Sequence, residues 1–357
     1  MKIGIVGLPS SGKTVTFNAL TGEQAEGGRR ELHQAVVPLP DPRLDRLFEI
    51  FQRPRKVPAH VEYVDLAGIA PDEHKRAGFS DQFLGQIRTV DALLVILRGF
   101  SDETVPHPLN SIDPVRDLAQ VEAEFIISDL AILETRLDRL ERQLRTHPND
   151  HDAHEREILL RCQAHLESER PLRDLEFDAG EEILIRGYQF ITQKPQIVML
   201  NIDESDLPRE SECLRPLESG CGPNSTAIAV CAQIEMEIRA LSEEEAEPFR
   251  RDLGITETVL ARLISTSYRL LGLISFFTLG DQEVRAWTIR NGTRAPAAAG
   301  AVHSDMERGF IRAEVVNYDD FITRASMASC RSDGVLRLEG RDYIVRDGDI
   351  VTFRFAV

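Results

Sequence analysis

The sequence predicts an α/β domain on a mainly parallel sheet, with a helical hairpin inserted into it and a separate small domain at the C-terminal end. Three observations predict this. Short runs of Val, Ile and Leu, bounded by Gly and Pro, alternate with helical stretches, as buried parallel strands do. A heptad-like apolar stripe interrupts that alternation. The charge is also uneven: the formal net charge is −17, yet residues 272–357 carry eleven Arg against twelve acidic residues, so nearly all of the excess lies before them.

Lys2–Val6, Ala59–Asp65 and Asp91–Leu97 read as strands, and Gln196–Leu200 and Ala227–Cys231 as two more of the same sheet. A helix is expected at Val15–Leu20, directly after the first strand. The insertion begins after Pro114. There Ile126, Leu130, Leu133, Leu137, Leu140 and Leu144 recur at alternating spacings of four and three, which makes an a/d seam. A break at His147–Asp150 precedes a second helix carrying Ile158, Leu159, Cys162 and Leu166. Two such helices fold back as a self-packed antiparallel hairpin. Trp287 is expected in the core of the C-terminal domain.

Length and composition bound the function. At 357 residues, 42% hydrophobic and 28% charged, the chain is globular and long enough for two or three domains. Its acidity disfavours loose binding to nucleic acid or to an anionic membrane, and no sequence-specific DNA partner is expected. The five cysteines form no C-x-x-C pair, which argues against a disulfide framework or structural zinc. His147, His151 and His154 read as a polar hairpin tip. The apolar start is too short for a signal peptide, and no run of eighteen apolar residues occurs, so a cytoplasmic protein is expected.

The strongest motif is Gly7-Leu8-Pro9-Ser10-Ser11-Gly12-Lys13-Thr14, which fits G-x-x-x-x-G-K-S/T between a strand and a helix. Its glycines let successive N–H groups turn inward on phosphates, and the helix that opens near Val15 points its positive end at the same anion. Lys13 reaches the β- and γ-phosphates, and the Thr14 hydroxyl binds Mg²⁺. Asp65-Leu66-Ala67-Gly68 closes a later strand, where the Asp holds Mg²⁺ through water and the Gly N–H touches the γ-phosphate. Ile69 stands where signalling GTPases carry the Gln that orients water, and Ile cannot do so. Asn201-Ile202-Asp203-Glu204 follows the strand where GTPases place N-K-x-D. Glu204 is one methylene longer than Asp, and Asp203 is one position early, which argues against strict guanine use.

Together these motifs resemble the YchF/Obg-like ATPase family. Phe17-Asn18-Ala19-Leu20-Thr21, Val37–Asp45, Tyr63–Gly68 and Cys231–Glu235 carry the resemblance through the first 271 residues. Glu283–Ile289, Gly309–Ala313 and Asp342–Asp349 carry it through the rest. The resemblance implies a P-loop NTPase G-domain (residues 1–114 with 190–271), a coiled-coil hairpin (115–189), and a C-terminal TGS domain of β-grasp, ubiquitin-like fold (272–357). It implies Mg²⁺ and ATP in preference to GTP, with Asn201, Ile202 and Glu204 around the base. Gly7, Pro9, Ser10, Ser11, Gly12, Lys13, Thr14, Val15, Asp65 and Gly68 would surround phosphate and metal, with Thr14 and Asp65 as metal ligands. The family's water-handling histidine falls on His107, making His107 and Lys13 the candidate catalytic residues. Family members bind ribosomes or translation components, so such a partner is implied for the TGS-like domain and the hairpin.

The chain departs from the family in both switch segments. The first reads Arg29-Arg30-Glu31-Leu32-His33 and lacks the usual Thr; the second, Pro71–Gly78, is poor in glycine. Three readings therefore stay open: a slow ATPase acting as a switch, a nucleotide-binding scaffold with little hydrolysis, and a GTPase.

Overall fold

The five expected strands form within one or two residues of their expected bounds, in a computed structural model that describes residues 1–22, 33–66, 79–252, 255 and 258–356. They are β1 (Lys2–Val6), β4 (His60–Asp65), β5 (Ala92–Arg98), β6 (Gln196–Asn201) and β7 (Ser225–Val230). With β2 (His33–Pro38) they make a six-stranded sheet of order β2-β4-β1-β5-β6-β7. The pairings from β4 through β7 are all parallel. β5 and β6 are buried at every position, because helices cover both faces of a parallel sheet.

The second sheet has the order β11-β10-β12-β8-β9-β3. Its strands are β3 (Arg55–Val57), β8 (Leu273–Leu279), β9 (Glu283–Arg290), β10 (Phe310–Asn317), β11 (Arg337–Glu339) and β12 (Asp349–Phe355). The hairpin β8–β9 is antiparallel, and the last strand, β12, lies parallel to the first, β8. With the helix Ala295–Val302 packed on one face through Ala295, Ala298 and Ala299, this is the β-grasp arrangement.

The described chain divides into two compact units, Met1–Val36 with Glu62–Arg262, and Val37–Val61 with Leu263–Val357. The sequence expectation placed residues 37–61 in the first. They join the second because β3 extends the β-grasp sheet, parallel to β9, at Arg55–Val57. Helix α2 (Pro42–Phe51), which follows α1 (Lys13–Thr21), presses Leu44 and Leu47 into one core with Phe277, Val284 and Phe321. Trp287, expected as core, is half-buried at the edge of the other cluster of this unit, the one formed by Phe276, Ile289, Phe310 and Phe353. It donates to Thr278 Oγ1 at 2.9 Å and lies 4.0 Å beneath the Arg285 guanidinium.

In the first unit, α3 (Asp81–Arg88) and α4 (Pro114–Thr146) cover one sheet face, burying Phe83, Ile87, Val121 and Phe125 against Val95, Leu97 and Val198. At 33 residues α4 runs on for about 50 Å. Its outer half packs on α5 (Asp150–Glu167) as the seam predicts: Leu133, Leu140, Ile158, Leu159, Cys162 and Leu166 are almost fully buried. Pro114 at the start, after the Asp113 cap, and Asn149 capping α5 explain why the breaks fall where they do. No helix among the described residues is long and apolar enough to cross a membrane.

Candidate functional site

The loop between β1 and α1 is shaped by positions where no other side chain fits. Gly7 has φ 151°, and a Cβ there would stand 2.3 Å from the Ile96 carbonyl oxygen. Gly12 has φ 93°, and its Cβ would stand 2.2 Å from Asn201 Nδ2. Between them Ser10 adopts φ 61°. The result is a backbone cradle at the N-terminus of α1, the arrangement that binds phosphate. Ser11 Oγ is buried with no hydrogen-bond partner among the described residues, a donor without an acceptor.

Lys13 Nζ donates to the carbonyls of Gly7 at 3.0 Å and Leu8 at 2.6 Å, so the ammonium lies over the loop it would serve. Burial pushes its pKa down to about 8, while the charge of Asp65 works the other way. Asp65 is buried at the end of β4. Thr14 and Val15 are half-buried in the first turn of α1, and Pro9 and Ser10 are exposed. Gly68 lies outside the described residues, as do Ile69, Arg29, Arg30 and Pro71–Gly78. A free serine hydroxyl, a desolvated ammonium and a glycine-walled cradle fit a polyphosphate.

The residues of the base-side motif lie in different surroundings. Asn201 is buried at the end of β6, with its amide spent on backbone: Nδ2 donates to Ser11 O at 3.3 Å, and Oδ1 accepts from Ala232 N at 3.1 Å. Its side chain therefore ties the phosphate loop to the turn before the helix Ala232–Ala240. Ile202, expected beside the base, is a core residue whose N–H bonds Val230 O at 2.8 Å. Asp203 accepts from Ser101 N at 3.0 Å. Glu204 is exposed, and it lines an open pocket with Asp203, Ser205, Leu207, Pro208 and Asp252.

The segment 99–113, which carries His107, is held by Arg98, Asp203, Asp117 and, through Ser111, Arg116. The Arg98 guanidinium, 3% exposed, donates to the carbonyls of Phe100, Asp102 and Val105 at 3.1, 3.2 and 2.8 Å. Asp203 holds its start. At its end Asp117, in the first turn of α4 and 2% exposed, meets His107 Nε2 at 2.9 Å. His107 Nδ1 accepts the N–H of Leu109 at 3.1 Å. Both ring nitrogens are thus occupied, and the side chain is 6% exposed rather than solvated.

Sequence reading missed Arg98, Asp117 and Asp129. The signal was present in α4: Asp117, Val121, Phe125 and Asp129 recur every four residues, and all four are buried. An acid on an apolar helical stripe must be paired, because an unpaired buried carboxylate is prohibitive. Asp129 is fully buried and accepts from Arg88 Nη1, Ile191 N, Thr192 N and Thr192 Oγ1 at 2.8–3.1 Å. In the hairpin, Glu155 takes a bidentate contact from Arg136 at 2.7 and 2.8 Å, and ligand atoms of His151 and Asp152 lie within 4.8 Å of its carboxylate.

Residues 2–131 match the MMR_HSR1 family model, "50S ribosome-binding GTPase". Residues 273–356 match the YchF-GTPase_C model, "Protein of unknown function (DUF933)". The "Ribosome-binding ATPase YchF" of Bacillus subtilis (strain 168) is 40% identical over 363 residues, covering 99% of both chains. The chain belongs to the YchF/Obg-like ATPase family. Within it, the "Obg-like ATPase 1" of Gallus gallus is 33% identical over 366 residues, covering 99% of this chain and 92% of the relative. The YchF GTPase of Schizosaccharomyces pombe has a solved structure that matches with a TM-score of 0.88 at 30% identity, covering 99% of this chain and 97% of that one.

Proposed function

We propose that this YchF/Obg-like family member is a Mg²⁺-dependent, slowly turning over ATPase that works in the cytoplasm as a ribosome-associated nucleotide switch. The observation that carries the reading is the glycine-walled loop 7–14, where Ser11 Oγ lacks an acceptor and Lys13 is desolvated on the loop carbonyls. In this reading Lys13 leaves those carbonyls for the β- and γ-phosphates, and the N–H groups of Gly12, Lys13 and Thr14 hold phosphate oxygens. Thr14 and Asp65 would hold Mg²⁺, which when bound offsets charge on the phosphates. Asn201 acts on the base side through its hold on Ser11 O and Ala232 N, and Gly68 senses the γ-phosphate.

Preference for ATP over GTP rests on Glu204, whose carboxylate is placed differently from the Asp of N-K-x-D. Relatives are named for both nucleotides, so the preference is the finer part of the proposal. The ribosome contact is assigned to the C-terminal domain and the hairpin. A second reading, a scaffold with little hydrolysis, is favoured by His107, both of whose nitrogens are taken. Binding and single-turnover hydrolysis of ATP and GTP, with and without Mg²⁺, on wild type and His107→Ala, separate these. Slow ATP turnover lost in His107→Ala supports the switch. Tight ATP binding without turnover supports the scaffold, and tighter GTP binding overturns the base assignment.

A further inference from the structure

His107 sits in a turn that fixes its tautomer. The Leu109 N–H points at Nδ1 from 3.1 Å, so Nδ1 must present a lone pair. The proton of the neutral ring then lies on Nε2, where it is donated to Asp117 Oδ2 at 2.9 Å. The two contacts differ in kind. Leu109 belongs to the same tight turn, closed by Asn110 N on His107 O at 3.0 Å, with Asn110 at φ 61°. A small turn rearrangement removes its N–H. Asp117 cannot follow the ring so easily, because it is buried in the helix and its other oxygen accepts Arg116 Nε at 3.1 Å and Nη2 at 2.8 Å. Arg116 is itself held by Ser111 Oγ at 2.6 Å and Ser111 O at 2.7 Å.

We infer that Asp117 is the positioning residue of His107: it holds the ring as the Nε2–H tautomer, so that Nδ1 is the nitrogen that accepts a hydrogen bond from the hydrolytic water once Leu109 lets go. The inference rests on the reading of His107 as the water-positioning group. A carboxylate on one ring nitrogen orients the imidazole and leaves the other available, and replacing it by an amide removes that control of tautomer.

The test uses the full chain labelled with ¹⁵N-histidine, the His107 signals being assigned among the nine histidines by difference with His107→Ala. Wild type should show Nε2 protonated and Nδ1 bare. Asp117→Asn should lose that preference, and its single-turnover rate on ATP should fall about tenfold or more while ATP affinity stays within about twofold. A merely structural Asp117 would alter stability and leave rate and affinity unsplit. Wild type protonated at Nδ1 overturns the inference, whether or not the variant folds. A slow His107→Ala beside an Asp117→Asn at the wild-type rate also overturns it, yet leaves the reading of His107 intact. If His107→Ala itself turns over as wild type, that reading falls and takes the inference with it.

Discussion

The two halves of the site are made of different material. The phosphate side is backbone, shaped by glycines at 7 and 12 that no side chain can replace without striking Ile96 O or Asn201. The segment 99–113 is ordinary backbone held in place by side chains from outside it: Arg98, Asp203, Asp117 and Arg116. A backbone cradle fails all at once, since one Cβ in the wrong place moves the whole loop. A segment held by side chains comes loose one contact at a time. If the proposed function holds, substitutions on the first side should therefore abolish nucleotide binding, whereas those on the second should spare binding and alter hydrolysis.

The largest expected effect is on the backbone side. Gly12→Ala forces a Cβ onto Asn201 Nδ2 at a left-handed φ, so ATP affinity should fall about 100-fold or more, measured calorimetrically. An affinity within about threefold of wild type would remove the distinction. Asn201→Ala tests the seam between the two sides. It leaves Ser11 O and the Ala232 N–H without partners in a buried place, which should cost about 2 kcal/mol in chemical denaturation of the first unit, with weaker ATP binding. Unchanged stability would mean that water or a shifted neighbour satisfies both groups.

The smallest effect is in protons. Burial lowers the Lys13 pKa from an ordinary 10.5 to about 8, so the folded chain binds fewer protons than the unfolded chain between those values. Stability of the nucleotide-free protein therefore gains from this group as pH rises from about 8 to 10.5. Phosphate restores the charge, so ATP binding near pH 8.5 should take up a fraction of one proton, seen by calorimetry in buffers of different ionisation heat. Lys13→Met should abolish that uptake; uptake unchanged in the variant would place the titrating group elsewhere.

The same contrast explains what could be read in advance. Gly7–Thr14 is contiguous, and each residue type is dictated by a local backbone need, so the loop was legible without the fold. The parallel strands and the hairpin seam were legible because their periods are local too. The hold on the segment that carries His107 draws on residues 98, 116, 117 and 203, and no local pattern joins them. Residues 37–61 were assigned to the wrong partner for a related reason: β3 is three residues long, and its neighbour, β9, is more than two hundred positions away. Asn201 was recognised as a site residue, but its bonds to Ser11 O and Ala232 N were not, because they arise only from the packing of β6 against the loop.

Asp129 has a consequence for transplantation. The hairpin would serve as a portable module if its two helices carried everything their buried groups require. They do not. The carboxylate of Asp129 is satisfied by Arg88 on one side of the insertion and by Ile191 and Thr192 on the other. A fragment of residues 115–189 would leave that charge with none of these donors, and grafting it into another loop would do the same. The coiled arm can be shortened or exchanged only beyond its first five turns; its root belongs to the host.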